Sequence, residues 1–278
     1  HVASARCVGV CTGGIAFADD IAMLSNSMEG LQRLIRIACK YSEQWRFKFN
    51  PKKCSVIQFG QKQSNVQIKI GTENVKIVNS DSHLGVILTN EDKCVDEVIG
   101  EKIQQCKNIS YAIQALGSHM TPVTPQTSSK VYWSVCIPKL CYGSEILDIR
   151  ESTMQNMETF HCGMAKHVQN LPQQCNNPGS LATLGWKSLR SHCNFLKFIF
   201  IFQLLSLPFM CIYKKVCIRR LCLIFYTEMY RRGPLWNIIE VCKEFGISDM
   251  IRSAMESGEY MTRAQWKNMI KHVIKNIE

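Results

Sequence analysis

Acidic residues are scarce in this chain of 278 residues: 22 Asp and Glu stand against 33 Lys and Arg, for a formal charge of +11 and a pI near 9. That balance disfavours cationic partners and favours a polyanion such as nucleic acid or an anionic membrane surface. A basic protein unrelated to either is the plainer alternative. Paired cysteine spacing is missing too. Fifteen cysteines, an odd number, run from Cys7 to Cys242 without one CxxC, and no signal peptide stands ahead of them. An extracellular disulfide framework is denser and more regular, so reduced thiols inside the cell, in cytoplasm or nucleus, are expected. Zinc is the sharper reading of Cys7 with Cys11, of His161, Cys162 and His167, and of Cys211, Cys217 and Cys222, yet none has the short paired spacing of a structural site. Nor is there a long apolar run. FIFIFQLLSLPFMCIY, residues 198 to 213, contains Gln203, Ser206 and Pro208 and falls short of the roughly 20 clean residues a span needs. A buried helix broken near Pro208 is expected there, and no membrane span.

What is present is ordinary globular composition, 46% hydrophobic and 20% charged, in a length that suits one large domain or two modest ones. The chain opens on His1 rather than Met, as expected of a fragment or a processed product. Short β-like pieces flank the acidic pair Asp19 and Asp20, predicting a hairpin with its tip near Ala18 and Asp19. A helix follows, capped by Asn26 or Ser27, in which Met28, Leu31, Leu34, Ile35, Ala38, Tyr41 and Trp45 recur at helical spacing and read as core. The chain then turns at Asn50 and Pro51 and re-enters a strand, VQIKIGTENVKIV reads as a hairpin turning at GTEN, and HLGVIL, 83 to 88, as one further strand with Gly85 inside it. From Val95 the apolar period lengthens to that of a helix, one long amphipathic element that Gly117 ends. A second helix starts at Thr124 and Pro125 and runs towards Pro138, a third stops before Pro172, and the tail from Leu181 is mostly helical. Strands followed only by helices imply an α+β portion and then an all-α one, with the boundary near residues 89 to 93.

The ordered set of FADD, a helix, FNPKKCSVIQFG, a hairpin and SHLGVIL followed by long helices resembles the palm and thumb of reverse transcriptases from non-LTR (LINE-type) retrotransposons. FADD is similar to their catalytic motif C, FNPKKCSVIQFG to motif D and SHLGVIL to the primer-grip motif E, with His83 in place of the usual Tyr. IPKLCYGSEIL and FQLLSLP resemble the family's C-terminal extension. The resemblance implies a partial antiparallel palm sheet with a packed helix over residues 1–90, a helical thumb-like region over 91–172 and a helical C-terminal extension over 173–278.

It also implies nucleotidyl transfer, in which two divalent ions, Mg²⁺ or Mn²⁺, clamp the attacking and leaving oxygens. Asp19 is then the direct metal ligand and Asp20 an auxiliary one. Phe17 stands near the primer end and Ala18 near the incoming deoxynucleotide, Lys53 or Lys52 assists departure of pyrophosphate, and Leu84 and Gly85 grip the primer. Lys214, Lys215, Arg219 and Arg220, with Arg231 and Arg232, lie along an RNA template and DNA primer; a solvated helix face is the equal alternative. The departure lies upstream. The family needs a further aspartate from motif A and a Gly-rich motif B ahead of motif C, and none of the 18 residues before Asp19 is acidic. The expectation is therefore a fragment of an RNA-directed DNA polymerase, inactive alone; a truncated remnant that only binds nucleic acid is the alternative.

Overall fold

The computed structural model describes residues 5–7, 10–60, 67–90, 94–117, 124–227, 231 and 233–277, and it is an α+β protein. The chain divides into two compact units, His1–Cys94 and Val95–Glu278.

The first unit holds the strands. β1 (Ala5–Cys7) and β2 (Val10–Thr12) form one antiparallel pair, and β3 (Gly14–Phe17) and β4 (Asp20–Met23) a second. Helix α1 (Met28–Gln44) follows; Ser27 caps it, its hydroxyl accepting from the Gly30 N–H at 3.0 Å. A single 3₁₀ turn over Pro51–Lys53 leads to β5 (Ser55–Ile57). Beyond it lie β6 (Lys69–Ile70), β7 (Glu73–Asn74), β8 (Lys76–Val78), β9 (Ser80–His83) and β10 (Val86–Thr89). A small core of Ile35, Val56, Ile68 and Val75 ties α1 to β5 and the β6–β7 hairpin, with Met23, Met28, Leu31 and Cys54 packed around it.

Two expectations change here. The strands do not form an antiparallel sheet: among the described residues they pair two at a time, and β5 with β8 is parallel, Val56 opposite Ile77. β3 and β4 have no buried residue, and Phe17 and Ile21 are 66% and 41% exposed, so among the described residues no further strand covers their apolar side chains. HLGVIL is also not one strand. Leu84 and Gly85 take φ of 52° and 74° and fold the segment into the β9–β10 hairpin, with His83 opposite Val86. Positive φ at both central residues is the signature of a type I′ turn, whose twist matches that of the flanking strands.

The second unit is helical: α2 (Cys94–Gly117), α3 (Pro125–Val131), α4 (Ile137–Cys141), α5 (Glu151–Val168), α6 (Asn177–Ala182), α7 (Leu189–Ser206), α8 (Ile212–Tyr226), α9 (Pro234–Glu244), α10 (Ser248–Ser257) and α11 (Arg263–Ile277). The side chains of 113 to 117 lie outside the described residues. Pro138 does not end the helix begun at Thr124. A turn of π-helix over Tyr132–Cys136 joins α3 to α4, the Ile137 N–H bonding back to Tyr132 O, and Pro138 falls at the start of the next turn, where no N–H is needed.

Two apolar cores share α7. Leu189 and Cys193 belong to one with Ile99, Tyr132, Met157 and Trp186; from Phe198 onward the helix packs against Leu221, Ile238 and Trp266. The Trp266 indole donates to Phe198 O at 3.0 Å and stacks on Phe202. The run 198 to 213 is interrupted, α7 ending at Ser206 and α8 starting at Ile212. Among the described residues no helix is long and apolar enough to cross a membrane.

Candidate metal and nucleic-acid sites

The acidic pair sits at the tip of the β3–β4 hairpin. Ala18 and Asp19 form the two-residue turn and Asp20 opens β4, directly opposite Phe17. Ala18 takes a φ of 52°, a left-handed conformation that disfavours a residue with a Cβ by roughly 1–2 kcal/mol. Four cross-strand pairs, from Phe17↔Asp20 to Gly14↔Met23, and the Leu24 N–H to Gly13 O bond at 3.1 Å hold that turn in place. Strand alternation would send adjacent carboxylates to opposite faces. Because Asp19 lies in the turn and not in a strand, it is exempt from that rule. Both carboxylates are exposed and accept no hydrogen bond from another described residue. Phe17, on the same face as Asp20, is 66% exposed.

Met23, packed against the core that α1 completes, anchors this hairpin; Cys54 and Val56 of the neighbouring segment enter the same core. Lys52 and Lys53 are exposed in the 3₁₀ turn, which Asn50 fixes by accepting the Lys52 N–H on its side chain at 3.1 Å and the Lys53 N–H on its carbonyl at 3.0 Å. The β9–β10 hairpin joins β5 through the Ser55 hydroxyl, which donates to Asp81. Asp81 also accepts the Ser82 N–H at 2.7 Å. The acidic hairpin, the lysine turn and the Leu84–Gly85 turn are thus all carried by one small unit.

Hard carboxylate oxygens suit Mg²⁺ or Mn²⁺, so Asp19 and Asp20 fit such an ion in kind but not in number. Among the described residues no group of three or more His, Cys, Asp or Glu is placed to hold a metal. The zinc readings fare no better. His161 is buried in an aromatic cluster, its Nδ1 2.9 Å from the Tyr132 hydroxyl and its Nε2 3.0 Å from Lys187 O. A carbonyl only accepts, so Nε2 carries the proton, Nδ1 accepts, and neither nitrogen is left for a metal. Cys217 is buried and its thiol is pushed up to about 12 by burial. The side chains of Cys7 and Cys11 lie outside the described residues.

The basic set on α8 separates into two faces. Lys214 is removed from the phosphate-binding group: it is 8% exposed, with its ammonium 4.5 Å from the centre of the Tyr260 ring. It shares a helical stripe with Cys217, Leu221 and Ile224, all buried, and is carried inward with them. Lys215 and Arg219, four apart, lie on the neighbouring face; Lys215 and Arg220 are half-buried and Arg219 is exposed. Arg231 is exposed, and Arg232 lies outside the described residues.

A further correction concerns α1. Tyr41 and Trp45 are exposed rather than core, because the buried stripe follows Ile35 and Ser42 and leaves them rotated out of it. Ile37, four residues before Tyr41, was the signal of a second apolar row. Two buried pairs also have no mark in the spacing: Cys141 Sγ lies 3.9 Å from Cys193 Sγ, and the Cys106 thiol donates to Cys136 O at 3.5 Å. No family model, curated protein or solved structure matches the chain.

Proposed function

We propose that the first unit is part of the palm of a reverse transcriptase of the non-LTR retrotransposon type, and that the helical unit contains its thumb and C-terminal extension. The observation that carries this reading is the FADD hairpin: two adjacent, exposed carboxylates at a turn held by paired strands and uncommitted to other described residues. In the intact enzyme the reaction is nucleotidyl transfer from a deoxynucleotide to a DNA primer on an RNA template. Divalent ions, when bound, stabilise negative charge on the attacking and leaving oxygens.

The roles proposed for this chain's residues are those that the resemblance implies. Asp19, in the turn, supplies the direct ligand oxygen and Asp20 an auxiliary one. Phe17, on the Asp20 face, offers an aromatic surface to the primer end, and Ala18 brings backbone close to the nucleotide. Lys53, or its neighbour Lys52, sits on a fixed turn and offers a cation to departing pyrophosphate. Leu84 and Gly85 present a tight backbone turn to the primer. Lys215, Arg219 and Arg220 hold hybrid phosphates by charge, without reading bases.

The 18 residues before Asp19 contain no acidic side chain, and among the described residues no third ligand group stands with Asp19 and Asp20, whereas the reaction needs a third carboxylate. On this reading the 278 residues by themselves bind nucleic acid and do not extend a primer.

Mn²⁺ titration followed by electron paramagnetic resonance tests the ligand assignment. Asp19→Asn is expected to weaken Mn²⁺ binding about tenfold, Asp20→Asn less, with far-ultraviolet circular dichroism unchanged. Unaltered Mn²⁺ affinity in the double variant removes the hairpin from any catalytic role.

A further inference from the structure

The outward face of α1 has the wrong composition for a surface left to water. Ile37, Tyr41 and Trp45 succeed one another every four residues and are 63%, 55% and 64% exposed. Phe47 continues the row past the helix end. The rings touch: the Tyr41 centroid is 5.9 Å from Trp45 and 6.2 Å from Phe47, and Phe47 lies edge-on to Phe49 at 5.5 Å.

Cations run along one side of this row and past its end. Arg33, Arg36 and Lys40 are exposed along the same side of the helix, and Arg46 and Lys48 are exposed just after it. None of the five makes an ion pair with another described residue. Between residues 30 and 50 only Glu43 is acidic.

The helix end is closed in a way that keeps the row together. Phe47 N–H bonds to Ser42 O at 3.0 Å and Arg46 N–H to Glu43 O at 3.3 Å, with Arg46 in the left-handed region at φ 58°. Glycine is the usual residue at that position. Here an arginine occupies it and sets a cation between Trp45 and Phe47.

We infer that this face binds single-stranded nucleic acid without sequence preference, its bases stacking on Tyr41 and Trp45 and its phosphates meeting the flanking cations. Flat aromatic faces interleaved with cations are what a single strand offers partners for, since its bases are unstacked and its backbone is anionic. A duplex hides its base faces, and an acidic peptide leaves the rings unused. A second copy of the chain would set like charges against one another. The site rests on α1 alone and is independent of any metal role for Asp19 and Asp20.

The test titrates the full chain with fluorescein-labelled oligo-dT and oligo-rU of about 20 nucleotides, and with a duplex of the same length, reading anisotropy and tryptophan emission. Single strands are expected to bind and to quench part of the tryptophan emission, and that quench is lost in Trp45→Ala, in which the other four tryptophans still emit. Tyr41→Ala and Trp45→Ala are each expected to weaken single-strand binding about tenfold while leaving duplex binding and the circular dichroism spectrum unchanged. Arg36→Glu with Lys40→Glu weakens it further and flattens its salt dependence. Asp19→Asn leaves it intact. Single-strand affinity that survives both aromatic substitutions overturns the inference. So does a tryptophan emission change that Trp45→Ala removes and that responds to anionic phospholipid vesicles or to self-association and not to oligonucleotide.

Discussion

His161 is enclosed where burial, which disfavours a positive charge, outweighs the carboxylate of Glu158. Trp186 stacks against it at 5.1 Å, Tyr132 lies beside it, and its two nitrogens are committed to a hydroxyl and a carbonyl. Burial lowers its pKa below the usual histidine value, and burial together with neighbouring His161 does the same for His192. The unfolded chain therefore takes up these protons first as pH falls. Their contribution to stability is complete above the unfolded value of about 6.5 and is lost progressively below it. Urea unfolding of the full chain should show a midpoint that drops between about pH 7 and about pH 5, and a shallower drop in His161→Phe, whose absolute stability is lower at every pH. A slope unaltered by that substitution removes His161 from the account. The same reasoning separates His161 from the exposed carboxylates of the FADD turn: one side chain is satisfied and sealed, the other two are open. Of these, the sequence marks the pair by adjacency, whereas the sealing of His161 depends on Tyr132 and Lys187, distant in sequence.

Helix α1 links the candidate site to the core, and its first turn depends on Ser27. Ser27→Ala is expected to destabilise the chain by about 1 kcal/mol in urea unfolding, with Ser27→Asp retaining most of the stability; an Ala variant as stable as the parent would show that packing alone fixes the helix start. Caps such as Ser27 and Thr124 are legible in sequence because their bonds reach only two or three residues along the chain. The FADD hairpin is legible for the same reason. What escapes is whatever depends on which face of an element meets the core. Tyr41, Trp45 and Lys214 all fit a helical period, but periodicity states that residues share a face and not that the face is covered. The turn at Leu84 was hidden because leucine seldom takes a positive φ, and Pro138 was read as a stop because a π-turn leaves no local signature.

At the scale of the whole molecule, the excess of 33 cationic over 22 acidic side chains is distributed over both units: on α1 and the lysine turn in the first, on α8 in the second. A charge of this sign favours a polyanion as partner, and association of that kind has a rate and affinity that fall as salt rises. Among the described residues no third His, Cys, Asp or Glu joins Asp19 and Asp20 in a group placed to hold a metal. The proposed palm and thumb reading then predicts binding of a primer–template without turnover. It is checked most directly by mixing the chain with a labelled RNA:DNA primer–template, following anisotropy across a salt series, and adding deoxynucleotides and Mg²⁺ to the same samples. The account predicts tight association at low salt, a log–log salt slope of several phosphates neutralised, and no primer extension. Salt-insensitive or absent binding contradicts the polyanion role, and extension of the primer contradicts the incomplete metal centre.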